Sequence, residues 1–559
     1  MHVLFREDVN KLPEVGVQTR SQVKKKSILK LPSEGVKTRN QRKVEICDKE
    51  ERRTFFTEKQ KRRFNKKKQK HEQEEKRSAE LVHVGIASQE SEKWGIPIYV
   101  MEVPRSEENK KEVIEAKERE LLNLKNLDVI EKVKDEGQPR IGSRWVNTHK
   151  EPHDGQKTEY KSRFVARGFQ DLDKNGLKQQ SDSPTAQKEA MKLWCAIAAN
   201  LEVETIRSMD ITAAFLQAEN LKRDVFVQPP KDVAEPRILW RLKKPLYGLS
   251  DAGRRFWLKV KKILIENGYE RLQGDEAYYL KRNQEGVIIG MILLHVDDFA
   301  MAGSKKFAKE TTEMFQKVMQ VSKIQDNRFR FCGVDLELKN GKIYMSMNEY
   351  AKTIKEIPIR KGNRSEKINQ NELLMTKRVT GQTSWIANTN RPDVAYNAMK
   401  LAMMTRNSTL QDLKFVNETV RKVHSRPSVL VFEKIGKLED LVIHGFSDAS
   451  YKFGEKAVGG TYVMLGKKNS DRVLSLNCKS KLMRKVTKNA KEAETVNLGI
   501  ALDFAKHAAN QVSQILWGGK NMSRSVDVNL YTDNHATLES IASTRQVERR
   551  LLRNNVGEL

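Results

Sequence analysis

Hydrophobic residues in this chain gather into a few dense runs set between long polar stretches. The densest, Gly286-Val-Ile-Ile-Gly-Met-Ile-Leu-Leu-His-Val-Asp-Asp-Phe-Ala300, is apolar almost throughout and is interrupted only by an acidic pair. A run of this length bounded by polar residues predicts a buried strand, because a membrane span needs roughly 20 apolar residues. Asp297 and Asp298 then fall at a tight strand-to-strand turn. A second strand is predicted over 204–216, where β-branched and apolar residues surround Asp210 and lead into a small-residue turn and Phe215. Between them, Asp251–Tyr269 reads as an amphipathic helix. Ala252, Phe256, Val260, Ile263 and Leu264 fall on one side, with Arg254, Arg255, Lys259, Lys261 and Lys262 elsewhere, so the helix could cover the sheet and show cations to a phosphate backbone. Towards the C-terminus, 442–448 predicts a strand ending in Asp448, 459–465 its hairpin partner, 491–506 a helix opening with acids, and 526–542 a strand passing through Asp533 into a helix.

Residues 1–90 differ in kind. They are polar and charge-dense, with Lys24-Lys-Lys26 and a run from Lys59 to Lys70 holding eight basic residues and no acid. Too little apolar surface is available to offset ordering entropy, which predicts disorder or a lone charged helix. A localisation signal, a nucleic-acid-binding arm and a solvated linker all fit it. At 559 residues the chain is long enough for several domains, and its formal net charge of +30 points to a polyanionic partner. The four cysteines, Cys47, Cys195, Cys332 and Cys478, form no Cys-x-x-Cys pair, which argues against a zinc site and for a reducing, intracellular setting. The N-terminus lacks the sustained apolar core of a secretory signal, and no membrane partner is expected.

The candidate chemistry lies in the acids. Burying an acidic pair beside an apolar strand costs several kcal/mol in order-of-magnitude terms unless a cation or proton compensates. A divalent metal is the natural compensator. Two strands that deliver Asp210, Asp297 and Asp298 to one sheet edge can hold two Mg²⁺ ions about 3.5–4 Å apart, the arrangement that serves in-line phosphoryl transfer. Asp448, Glu494 and Asp533 form a second set: an Asp, a Glu on a helix and another strand-end Asp, as a two-metal nuclease needs.

The order of segments resembles the polymerase of copia-type retrotransposons. The resemblance runs through Lys117-Glu-Arg-Glu-Leu, Ile141-Gly-Ser-Arg-Trp-Val146, Tyr160-Lys-Ser-Arg-Phe-Val-Ala-Arg-Gly-Phe169, Ser183-Pro-Thr, Met209-Asp-Ile-Thr-Ala-Ala-Phe-Leu216 and Val225-Phe-Val-Gln-Pro-Pro230. It continues in Leu242-Lys-Lys-Pro-Leu-Tyr-Gly-Leu249, Leu294-His-Val-Asp-Asp298, Phe331-Cys-Gly-Val-Asp335 and Thr389-Asn-Arg-Pro-Asp-Val-Ala-Tyr396, covering roughly residues 115–400. The segment after it resembles the RNase H domain of the same elements.

The resemblance implies an α+β, right-hand polymerase with fingers and palm over about 105–345, a mostly helical connection or thumb-like region over about 346–438, and an RNase H-like domain over 439–559. It implies RNA-directed DNA synthesis: deoxynucleoside triphosphates added to a DNA or tRNA-like primer on an RNA template, with RNA cleavage in RNA–DNA hybrids. Each active site would use two Mg²⁺ ions, for which Mn²⁺ could substitute. Asp210, Asp297 and Asp298 map to the polymerase carboxylates, with Asp210 and Asp297 as the direct ligands. Phe215 maps to the aromatic under the incoming sugar, and Lys161, Arg163 and Arg167 to the basic segment that holds the triphosphate. Asp448, Glu494 and Asp533 map to the nuclease carboxylates, Glu494 being preferred to Glu492 because it directly follows Ala493. The expected setting is a cytoplasmic particle or the nucleus.

Three departures stand out. His295 replaces the usual Tyr, Ser250-Asp-Ala-Gly253 replaces a Lys-Gln-Ala-Pro-like stretch and would put an acid in the nucleotide pocket, and 547–559 offers Glu548 and Glu558 but no clear fourth nuclease acid. They favour the alternative of a decayed or repurposed element product that binds nucleic acid without copying it. Retention of all three polymerase acids argues the other way.

Overall fold

The computed structural model describes residues 100–150, 158–171, 181–405, 407–451, 456–518 and 524–542. The basic arm expected over 1–90 and the 547–559 stretch lie outside them. The described chain is a mixed α/β assembly of four sheets with helices packed on them.

The central sheet has six antiparallel strands in the order Val321–Asp326, Thr205–Ile211, Asp298–Gly303, Ile288–His295, Tyr278–Arg282 and Tyr269–Arg271. Both its faces are covered, which explains the unbroken apolar run. Met291, Leu293, Ala300 and Ala302 pack on the side of the Lys188–Asn200 helix, with Trp194 and Ile197. Ile292, Leu294, Phe299 and Met301 pack on the other side against Phe256, Phe307 and Phe315. A strand buried on both faces needs no polar alternation.

The helix anticipated over 251–269 forms over Ala252–Glu266, burying Ala252, Phe256, Val260 and Leu264 at i, i+4 spacing. It stops short of Tyr269 because Gly268, at φ +77°, turns the chain and Tyr269 enters a strand. Its cations are largely engaged by the fold. Arg254 pairs with Asp182 at 2.6 Å, Arg255 with Asp251 at 2.7 Å, and Lys259 donates to the Gln217 carbonyl at 2.5 Å. The expected display of these three to a phosphate backbone is therefore corrected.

An N-terminal six-stranded sheet contains Arg140–Lys150 paired antiparallel with Glu159–Ala166. A third sheet joins Arg328–Phe331, Val334–Lys339 and Lys342–Ser346 to the distant strand Val429–Phe432, so residues on both sides of 345 share one sheet. In the helical region that intervenes, Arg391 is 3% exposed and donates to the Val423 and Lys422 carbonyls at 3.0 and 3.3 Å while pairing with Asp393. The Thr389–Tyr396 block thus fastens the end of the Leu410–Ser425 helix.

The C-terminal sheet runs Val473–Leu482, Val458–Lys467, Leu441–Ser450 and Val528–Thr532, with only the last pairing parallel. The 28-residue helix Ala490–Trp517 lies across it. This helix is tied to the central sheet at its far end: Arg282 donates to the Gln514 and Ile515 carbonyls at 3.3 and 2.7 Å, and Gln514 accepts from the Gln273 N–H at 2.7 Å. Among the described residues no helix is long and apolar enough to cross a membrane.

Candidate functional site

Strand register builds the first site. His295 pairs with Asp298 across a two-residue turn, Asp298 pairs with Asp210, and Asp210 pairs with Ser322, so one row crosses four strands. Residues directly opposite on antiparallel strands present their side chains to the same face, with Cβ atoms about 4.5–5.5 Å apart. Asp298 and Asp210 are therefore side by side, and Ser322 Oγ donates to Asp210 Oδ2 at 3.3 Å. The turn is held in strained backbone: Val296, a β-branched residue, has φ +57°.

Asp297 occupies the apex of that turn, its carbonyl accepting from the Ile211 N–H at 3.0 Å. Desolvation by the surrounding protein raises its carboxyl above its ordinary value, opposed first by a backbone hydrogen bond and then by the charges of Arg163, His295 and Lys161. Lys161 and Arg163 lie on the 159–166 strand, and Arg163 sits over the Tyr247 ring at 5.8 Å. Arg167 falls one residue past the strand, where its N–H donates to the Gly142 carbonyl and its side chain lies along Gly142. Burial lowers the His295 pKa, and its ring meets Phe331 edge-on at 6.4 Å.

Phe215 lies on a short turn after Asp210, 5.4 Å from the Tyr247 ring. Tyr247 is placed by two glycines. Gly248, at φ +91°, would set a Cβ 2.1 Å from the Ala166 carbonyl oxygen, and a Cβ on Gly168 would fall 2.1 Å from the Gly248 oxygen. Only glycine permits these segments to touch. Tyr247 stood in a quoted motif, but nothing local marked it as the residue joining Phe215 to Arg163.

Asp251 does not project an acid into this pocket. It is 2% exposed, pairs with Arg255, and approaches Arg223 at 3.5 Å, while Arg223 also binds Asp171 at 2.7 Å. That expectation is corrected: two guanidinium groups neutralise Asp251 inside the fold.

The second site is tighter. Among the described residues, Asp448, Glu494 and Asp533 are the group whose carboxylate oxygens lie within 4.8 Å of one another; the three central-sheet acids share an edge without forming such a group. Burial raises the Glu494 pKa to about 7, opposed by the Ala449 N–H that donates to Oε1 at 2.9 Å and reinforced by the charges of Asp448 and Asp533. Burial and then the Asp533 charge raise that of Asp448. Glu494 Oε2 is buried with no hydrogen-bond partner among the described residues. Three clustered carboxylates, one of them with a buried oxygen that lacks a hydrogen-bond partner, are a donor set fitted to a divalent cation.

Glu492 instead accepts from the Lys488 N–H at the start of its own helix, at 2.8 Å. His535 is exposed and pairs with Glu539 at 3.3 Å. Sequence reading missed Asn497, one helical turn after Glu494. Its Nδ2 donates to Ser447 Oγ, the Asp448 carbonyl and the Gly460 carbonyl at 2.8, 3.0 and 2.8 Å.

Residues 125–366 match the family described as reverse transcriptase (RNA-dependent DNA polymerase). The chain is similar to a retrovirus-related Pol polyprotein from transposon RE1 of Arabidopsis thaliana, 25% identical over 401 residues, covering 67% of this chain and 25% of that one. It is also similar to the Transposon Ty1-GR2 Gag-Pol polyprotein of Saccharomyces cerevisiae, 24% identical over 426 residues, covering 69% and 23%. The chain thus spans about a quarter of the length of these relatives. Among solved structures, a foamy viral protease-reverse transcriptase in complex with double-stranded DNA aligns at a TM-score of 0.47 and 13% identity, over 85% of this chain and 70% of that one.

Proposed function

We propose, from the match of residues 125–366 to the reverse transcriptase family model and the similarity to copia-type transposon Pol polyproteins, that this chain copies an RNA template by extending a DNA or tRNA-like primer with deoxynucleotides. The observation that carries the reading is the register pairing of Asp298 with Asp210, with Asp297 at the adjoining turn within electrostatic reach of Arg163 and Lys161. Asp210, Asp297 and Asp298 would hold two Mg²⁺ ions, or Mn²⁺ in their place, which when bound would lower the pKa of the primer 3′-hydroxyl and neutralise charge on the leaving pyrophosphate. Lys161 and Arg163 steer and hold the triphosphate. Phe215, braced by Tyr247, lies under the sugar and excludes a 2′-hydroxyl.

The test is incorporation of labelled dTTP on poly(rA)·oligo(dT) with Mg²⁺ or Mn²⁺. Asp297→Asn abolishes synthesis while folding and primer-template binding persist. An unchanged incorporation rate overturns the assignment, and a wild-type chain that binds without copying replaces it with the decayed, nucleic-acid-binding reading.

The C-terminal triad supports a linked activity, cleavage of the RNA strand in RNA–DNA hybrids. Asp448 and Asp533 present carboxylates within 4.8 Å of the Glu494 carboxylate, and a metal held by the three would activate water. Asp448→Asn stops hybrid cleavage and spares polymerisation; cleavage that persists removes the role from this triad.

A further inference from the structure

From the end of the Val473–Leu482 strand into the first turn of the Ala490–Trp517 helix, residues 479–491 carry six cations and no acid: Lys479, Lys481, Arg484, Lys485, Lys488 and Lys491. We propose that three exposed members of this run, Lys481, Arg484 and Lys488, form a phosphate-binding strip that seats an RNA–DNA duplex against the Asp448–Glu494–Asp533 triad. The inference rests on the nuclease reading above and adds what delivers the substrate to it.

Three observations carry it. First, the loop is anchored to the residues that bear the acids. Met483 is buried with Ala449, Ala457, Ala493 and Val496, and its N–H donates to the Ala457 carbonyl at 2.8 Å. Ala449 directly follows Asp448 and Ala493 directly precedes Glu494, so the cations ride on the same packed unit as the triad. Second, register fixes the approach. Lys481 pairs with Gly459, which pairs with Ala449, placing Lys481 two strands from the triad's edge, about 10 Å across the sheet.

Third, the charge is offered outward. Lys479 is engaged with Glu189 at 3.0 Å and lies over the Phe504 ring, but Lys481, Arg484 and Lys488 are exposed. Glu492, the first acid after the run, is 1% exposed and turned onto its own helix start. A row of fixed cations beside a metal-fitted acid cluster matches a duplex whose backbone must cross the site while one phosphodiester enters it. Such contacts position without reading sequence.

The experiment uses the full chain in an Asp448→Asn background without divalent metal, with fluorescence anisotropy of a labelled RNA–DNA hybrid from about 50 to 200 mM salt. Each neutralised phosphate contributes roughly 0.9 to the slope of log K against log salt. The Lys481→Ala/Arg484→Ala/Lys488→Ala variant should flatten that slope by about 2–3. A control removing the same charge elsewhere, Lys111→Ala/Lys306→Ala/Lys309→Ala, should leave it unchanged. With Asp448 restored and Mg²⁺ present, the loop variant should raise KM for hybrid cleavage and leave kcat unchanged.

A loop-variant slope equal to wild type, or to the control, overturns the strip even where Asp448→Asn still stops cleavage. An equal loss for single-stranded RNA overturns the duplex assignment. A flattened hybrid slope in a chain that never cleaves hybrid sustains the strip and removes the nuclease reading.

Discussion

Asp210 and Asp298 face each other as partners on adjacent antiparallel strands, in a row that His295 extends on one side and Ser322 on the other. Two carboxylates opposed in this way repel when both are charged, and on the proposed reading a bound cation would relieve that repulsion. Asp298→Asn should therefore lower incorporation about 10³-fold or more, yet melt at the same or a higher temperature in EDTA. The wild-type rise in Tm on adding Mg²⁺ should shrink in the variant. A variant that melts lower in EDTA and retains the full Mg²⁺ response would show that the pair is structural.

Phe215 rests 5.4 Å from Tyr247 at the turn that follows Asp210. On the proposed reading, a ring so braced resists displacement by a 2′-hydroxyl. Phe215→Val should relax discrimination against ribonucleotides by about 10–200-fold, the range for a small steric difference in a pocket, with little change in kcat/KM for deoxynucleotides. Competing dTTP and UTP on one template measures the ratio. Unaltered selectivity would move the gate elsewhere.

These residues differ in how far the sequence disclosed them. The hairpin at 295–298 was legible because a doubly covered strand must be apolar and the acids could only sit at its turn. The 252–266 helix was legible from its four-residue spacing, but its end was not, since a left-handed glycine and a buried tyrosine act through tertiary packing. The fate of Asp251 depends on Arg223, 28 positions away, and the pairing of 342–346 with 429–432 bridges more than 80 residues. Neither leaves a local pattern. Asn497 looks like any polar helical residue until three acceptors close around it.

Lys192 is 2% exposed on the Lys188–Asn200 helix, donating to the Asn388 carbonyl at 3.3 Å. Burial lowers its pKa to about 8, despite opposing contributions from Cys478 and Glu189. Below pH 8 the folded state carries the buried charge and its full cost. Between about 8 and 10.5 the unfolded chain holds the extra proton, so stability attributable to Lys192 rises with pH. Lys192→Met should thus be more stable than wild type at pH 7 by about 1–3 kcal/mol, the advantage fading toward pH 10.5. Urea denaturation across that range checks it, and a pH-independent difference would assign the effect to packing alone.

Gly459 and Asn497 fit each other: a Cβ on Gly459 would fall 2.0 Å from Asn497 Oδ1, while Asn497 Nδ2 ties the Asp448 and Gly460 carbonyls to the long helix. The amide thus holds the strand bearing Asp448 at a set height against Glu494. Gly459→Ala should push Asn497 out of place and cost about 1–3 kcal/mol, the range for leaving buried polar groups unsatisfied. Asn497→Ala should lower kcat for hybrid cleavage at least tenfold with KM little changed, because the amide positions an acid without touching substrate. The double variant should be more stable than the sum of the single losses predicts, since with the amide gone the added methyl meets no oxygen. A coupling of about 1 kcal/mol or more in the double-mutant cycle is the expected result; strict additivity would show that the two positions do not act on one another.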